Sequence, residues 1–251
     1  PEEIKPTTPS DLTYKIVNPA DDNMVLGHTV WASNKAIEDA LKTTDEFSPE
    51  WKKTSVNQRA GYLEQIATLY EENQLHLMKM LIEEAGKTWS DAIAEIREAV
   101  DFCRYYAAMA KQEYTSAHVL PGPTGEINTL SLTGRGLTIC ISPWNFPLAI
   151  FTGGIVGALV TGNTVIAKPA EQTPLIAHYA VTLMHKAGIP KQALCLLLGA
   201  GKTVGQRLIE DHRIRTVIFT GSFSTAKIIE KSVANRTCLL YTSDAADDVR
   251  G

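Results

Sequence analysis

The sequence predicts an α/β fold, a helical N-terminal part followed by a doubly wound parallel sheet. Two observations carry that expectation. Charged, helix-periodic segments dominate up to about residue 120. After it, short β-branched runs alternate regularly with helical stretches. Strands separated by single helices pair in parallel, and the helices cross over the faces of the sheet.

In order along the chain, the polar cluster Asn18–Asn23 predicts a turn. From Asn34 a short amphipathic helix is expected through Ile37 and Leu41 to about Asp45. Ser55 opens a long helical stretch to about Ala85, with Leu63, Ile66, Ala67 and Tyr70 at helical spacing and Gly86 as its stop. Thr88 to Asp91 has the form of a capping box. The helix behind it carries Ile93, Ile96, Val100, Cys103 and Ala107 on one face. Glu95, Arg97, Glu98 and Arg104 are expected on its solvated face. His118–Gly125 reads as a rigid turn. Strands follow at Ile127–Thr133 and Leu137–Ser142, parted by Gly134–Gly136. A small-residue helix is expected around Ile155–Leu159, then a buried strand at Thr164–Lys168 and a helix at Leu175–Lys186. The alternation ends with a strand at Ala193–Leu198, a helix at Val204–Glu210, a strand at Thr216–Thr220 and a helix at Thr225–Val233.

Composition excludes several functions. A formal net charge of −4 offers no clustered positive field for nucleic acid. The longest apolar stretch, Gly153–Ala167, is broken by Thr161, Asn163 and Thr164, so no membrane span is expected. PEEIKPTTPS at the start has no apolar core of a secretory signal, and a cytoplasmic location is expected. Cys103, Cys140, Cys195 and Cys238 share no ligand spacing, and the six histidines form no HxxxH pair. They predict reduced thiols and no metal site.

Ligands of a doubly wound sheet bind beyond the carboxyl ends of its strands. Three such ends carry unusual residues. In Ser142-Pro143-Trp144-Asn145-Phe146-Pro147, two prolines hold one Asn amide still. That amide could donate to a developing oxyanion, or the segment could be a turn around a packed Trp. In Lys168-Pro169-Ala170-Glu171, the carboxylate could hold the hydroxyls of a nucleotide ribose and the Lys the same ribose or a phosphate. A surface ion pair is the competing reading. Gly199–Gly205 ends in GK[ST] form, but a P-loop needs Gly where Leu196 stands. Gly221-Ser222 ends a strand and opens a helix, a seat for a pyrophosphate.

Four segments in register, ISPWNFPLAIFTGG (141–154), GNTVIAKPAEQTP (162–174), GAGKTVG (199–205) and VIFTGS (217–222), resemble the aldehyde dehydrogenase superfamily. The likeness covers about Tyr14 to Arg236. With AEIREAVDFCRYYAAMA (94–110), it looks most like the glutamate-semialdehyde (1-pyrroline-5-carboxylate) dehydrogenase branch of proline utilisation. The resemblance implies a Rossmann-like NAD-binding domain, a small aldehyde substrate and homo-oligomers. It makes Asn145 the oxyanion donor and Lys168 and Glu171 the adenosine-ribose binders. Gly201 and Gly205 become the adenine-side turn, and Gly221 and Ser222 the pyrophosphate seat. Ser142, Pro143 and Trp144 join the cofactor-binding set. NAD is favoured over NADP because the charge of Glu171 would repel a 2′-phosphate.

The expected organisation is a helical part of the cofactor domain at 1–123, oligomerisation strands at 124–140, the NAD-binding domain at 141–236 and a tail at 237–251. That tail, TCLLYTSDAADDVRG, resembles translated adapter or frameshift sequence more than the family. The family's acidic Gly-Gly base motif and GQxC nucleophile segment are not found, and Cys238 lacks that context. The expectation is an N-terminal fragment, truncated before the catalytic domain and inactive alone. A nucleotide-binding module without chemistry, or an aldehyde dehydrogenase of another substrate class, is the alternative.

Overall fold

A computed structural model describes residues 13–243. The segment before Thr13 and the acidic end of the predicted tail lie outside them. Five strands form a parallel sheet: β5 (Leu137–Ile141), β6 (Thr164–Lys168), β7 (Leu194–Leu196), β8 (Thr216–Thr220) and β9 (Leu239–Ser243). Their spatial order is β7-β6-β5-β8-β9. The chain winds outward from β5 to β7, then returns to β8 on the other side of β5. This reversal is the doubly wound arrangement the sequence predicts, with its switch point between β5 and β8.

Helices α5 (Ala149–Val160) and α6 (Pro174–Lys186) cover one face, and outside them lies the helical layer α2 (Val56–Glu72), α3 (Gln74–Ala85) and α4 (Trp89–Tyr114). The other face is covered by α1 (Asn34–Lys53), the short α7 (Gln206–Ile209) and α8 (Phe223–Val233). Alternation along β5 serves both layers: Leu137 and Ile139 join the α1 side, Cys140 the α5 side.

Local chemistry sets most boundaries. Ser33, Ser55, Thr88 and Ser222 each accept a backbone N–H in the first turn of α1, α2, α4 and α8. Gly86 ends α3 with φ 67°, a conformation that favours glycine. By contrast, α5 and α6 have no side-chain cap of their own. Distant residues supply it. The C-terminal end of α5 is likewise held from outside. Trp51 Nε1 donates to Leu159 O at 3.1 Å, and Arg59 Nε to Val160 O at 2.8 Å.

Several expectations are corrected. The N-terminal part is not purely helical. The turn at 18–23 lies in an antiparallel hairpin of β1 (Thr13–Asn18) and β2 (Asp21–Val30). Most of β2 is exposed and lacks the apolar alternation that would mark a strand. The helix from Asn34 runs on through Pro49, and the stretch 55–85 is two helices broken at Asn73. His118–Leu120, expected as a turn, is β3. It pairs with β4 (Asn128–Leu130), which is shorter than predicted. Leu137–Cys140, grouped with the oligomerisation strands from sequence, belongs to the middle strand of the main sheet. The predicted helix at Val204–Glu210 is a π-helical turn over Gly201–Gly205 running into α7. No strand was expected beyond Arg236, yet β9 pairs with β8 from Leu239↔Thr216 to Ser243↔Thr220.

Candidate functional site

All three predicted site segments emerge at the same end of the sheet, because β5, β6 and β8 run parallel in register. The turn 142–147 follows β5, Lys168-Pro169-Ala170-Glu171 follows β6, and Gly221-Ser222 follows β8. The first and last flank the switch point, where ligands of such sheets bind.

Ser142 continues β5, its amide donating to Lys168 O at 3.3 Å, and its side chain is buried. Pro143, half-buried, leads into Trp144, which is 49% exposed. A turn built around a packed Trp is therefore not what the structure shows. Asn145 is half-buried between them and α5, with Oδ1 shielded from solvent, and borders a cavity of about 280 Å³.

Lys168 is only 5% exposed, and its Nζ donates to Pro169 O at 3.1 Å. Burial pulls its pKa below the ordinary lysine range, with Glu171 opposing the shift. Glu171 is exposed and accepts from the Gly201 amide at 2.8 Å. The two side chains make separate contacts, so the competing reading, a surface ion pair, is not what forms. The Glu171 bond seats the π-helical turn against the β6 loop. A Cβ on Gly205 would lie 4.0 Å from Lys168 Cε, so the second glycine adjoins the same lysine. A carboxylate on the Gly201 amide also opposes a P-loop reading, since a triphosphate would meet that charge.

Ser222 caps α8, its Oγ accepting from Thr225 N at 3.4 Å. The helix start behind Gly221 points its positive end towards the crevice mouth. The donor set fits a dinucleotide: a carboxylate and buried lysine beyond β6, glycine-lined backbone, and a helix start beyond β8.

Sequence reasoning missed one buried residue of this site. Glu95, expected on a solvated face, has a side chain with 0% exposure. It accepts from the Leu148 and Ala149 amides at 2.8 and 3.3 Å. Lys87 Nζ lies 3.1 Å from its other oxygen and 4.1 Å from the centre of the Phe146 ring. Glu95 follows Ala92 by three positions and precedes Ala99 by four, so it shares their buried face. That spacing was the available signal. Arg97, Glu98 and Arg104 are exposed as predicted, and Ile93, expected inside, is outside.

Burial pushes the Cys103 thiol up to about 12 and raises those of Cys140, Cys195 and Cys238. Cys238 immediately precedes β9, so it lies at the amino end of the sheet, away from the site. Among the described residues no cluster of three His, Cys, Asp or Glu could hold a metal. None of their helices is long and apolar enough to cross a membrane.

A model of the aldehyde dehydrogenase family matches residues 7–242. That match extends past Arg236, where the sequence resemblance was expected to stop. The chain is 44% identical over 221 residues to the bifunctional protein PutA of Klebsiella aerogenes, covering 88% of this chain and 16% of that protein. It is 39% identical to 1-pyrroline-5-carboxylate dehydrogenase of Geobacillus thermodenitrificans, covering 82% of this chain and 40% of the relative. Its fold superposes on a Thermus 1-pyrroline-5-carboxylate dehydrogenase solved with bound NAD, with TM-score 0.87, 35% identity, and coverage of 93% and 46% of the two chains. A proline utilization A structure with proline bound in remote sites gives TM-score 0.84 at 44% identity, covering 86% of this chain and 22% of that one. The chain thus spans less than half the length of each of these relatives.

Proposed function

This chain belongs to the aldehyde dehydrogenase family, and we propose that it supplies the cofactor-binding part of an enzyme that oxidises L-glutamate γ-semialdehyde, formed from 1-pyrroline-5-carboxylate, to glutamate with NAD in proline catabolism. The relatives' names support the substrate. The observation that carries the reading is the convergence of the Asn145 turn, the Lys168–Glu171 loop and the Gly221-Ser222 helix start at one end of three neighbouring parallel strands.

Each residue has a task. Glu171 accepts from the adenosine-ribose hydroxyls and repels a 2′-phosphate, and Lys168 donates to the same sugar. Gly201 and Gly205 keep the backbone low beside the adenine. Gly221 and Ser222 bring the start of α8 to the pyrophosphate. Ser142, Pro143 and Trp144 line the crevice between the cofactor and Asn145. The Asn145 amide donates to the aldehyde oxygen as it gains negative charge, a role whose loss costs roughly 10²–10³ in rate where it has been measured. Held by these residues, NAD would supply the hydride acceptor for the oxidation.

In this reading the thiolate nucleophile is not among the four cysteines, since a nucleophilic thiol needs a lowered pKa and all four here are raised. The hairpin β3–β4 exposes Val119, Leu120 and Leu130, which suits the homo-oligomeric contact expected from sequence. The purified chain should bind NAD without forming NADH from the semialdehyde. Glu171→Ala should weaken NAD binding more than NADP binding in titration. An unchanged affinity ratio removes Glu171 from the site, and NADH formation that survives Cys238→Ser overturns the view that the chain is inactive alone.

A further inference from the structure

Helix α5 begins three residues after Phe146 and lacks a cap from its own sequence. Its first amides are instead bound by Glu95, 53 positions earlier in the chain. The same carboxylate is anchored by Lys87, and Lys87 sits over the ring of Phe146. One ion pair, its carboxylate buried, therefore grips the chain on both sides of Pro147. Lys87, Glu95, Asn145 and Phe146 all border the 280 Å³ cavity, which Asp91 and Glu98 also line. Lys87 is the one cation among those lining residues, so no second cation there substitutes for it.

We propose that Glu95 and Lys87 are positioning residues for Asn145. The carboxylate fixes the start of α5, the ammonium fixes Glu95 and Phe146, and the turn that carries Asn145 is thereby locked. The inference rests on Asn145 being the oxyanion donor. Ion pairing alone does not explain burying Glu95, because burial disfavours its charge and raises its pKa. Two amides that α5 itself leaves without a cap, close to a residue that must not move, give the burial a purpose.

Hydrogen–deuterium exchange on the 251-residue chain tests the ordering directly. A hydrogen bond to a charged acceptor contributes about 1.5–3 kcal/mol, so Glu95→Ala should speed exchange of the Leu148 and Ala149 amides roughly 10- to 100-fold. Amides of β6 and α6 should keep their rates. Glu95→Gln retains an acceptor oxygen and should restore most of the protection. Lys87→Met should loosen 144–149 even if Glu95→Ala fails to fold. Parent-like exchange at 144–149 in Lys87→Met and Glu95→Ala overturns the proposal.

A second arm uses an active enzyme containing this segment. Glu95→Ala should lower kcat about tenfold or more, less than direct loss of an oxyanion donor, with KM for NAD unchanged. In an Asn145→Ala background it should cost little further, because it acts through that residue. Equal losses in both backgrounds overturn the positioning role. If Asn145→Ala itself leaves kcat intact, the oxyanion reading fails, and the exchange result alone then decides whether Glu95 orders the turn.

Discussion

The sheet has two unlike halves. Strands β5 and β9 are each five residues long and each pairs in parallel with β8. In β5 the first four residues are buried, whereas in β9 none is. β5 has a strand on either side and helices on both faces. β9 has one partner among the described residues. Leu240 packs half-buried against the α1–α7–α8 side, while Leu239 and Tyr241, pointing the other way, stay exposed. Capping differs in the same sense. α6 and α5 are held at their starts by buried carboxylates from the helical layer, Glu84 and Glu95, and α8 is capped by its own Ser222. A hydrogen-bond ladder alone thus makes a strand, but covering helices tied in from elsewhere make it core.

The sharpest test substitutes one apolar residue in each strand. Ile139→Ala empties a fully buried position between β6 and β8. It should cost about 2–5 kcal/mol in denaturant unfolding. Leu240→Ala should cost under about 1 kcal/mol, because Leu240 is only partly buried and its neighbours in β9 are exposed. Equal costs would break the distinction between the halves.

The next effect is pH-dependent and belongs to the β5–β6 half. Glu84 receives the Leu175 and Ile176 amides at 2.7 and 2.8 Å, and burial pushes its pKa up to about 7 from an ordinary 4.5. Between those values the folded state binds more protons than the unfolded state. Stability should therefore fall as pH rises from about 4.5 to about 7, by on the order of 1–3 kcal/mol from this group. Glu84→Gln should flatten that slope in urea melts recorded across the window. An unchanged slope would remove Glu84 as its source.

The inner strands β6 and β8 were the legible ones. Strands buried on both faces read as unbroken apolar runs, and TVIAK and TVIFT were placed at their observed bounds. The three site loops follow from those strands, so the candidate residues fell together without a structure. What failed to show in sequence lacks such a pattern. The exposed β2 carries DDNMVLGHTV with no alternation, and β9 owes its strand form to the edge of β8. Glu95 was misread because a charged residue on an amphipathic helix usually faces water. Its spacing from Ala92 and Ala99 marks the buried face, but its partners, the amides at the start of α5, lie far away in sequence.

The smallest effect concerns β9 itself. Ending the chain at Arg236 removes five paired positions but little buried apolar surface, chiefly that of the partly buried Leu240 and Cys238. Edge hydrogen bonds exchange with water at little net gain, so the loss should be about 1 kcal/mol, a shift of about 2–4 °C in Tm for a chain this size. The β8 edge then becomes available to other chains, and light scattering should show more self-association than in the parent. Arg236 stays in the shortened chain, and its guanidinium still bonds the Ile209 and Asp211 carbonyls, holding the end of α8 against α7. Cooperative loss of the whole fold on truncation would mean that β9 shares the core of β5. An unaltered Tm with unaltered association would mean that its ladder contributes nothing at all.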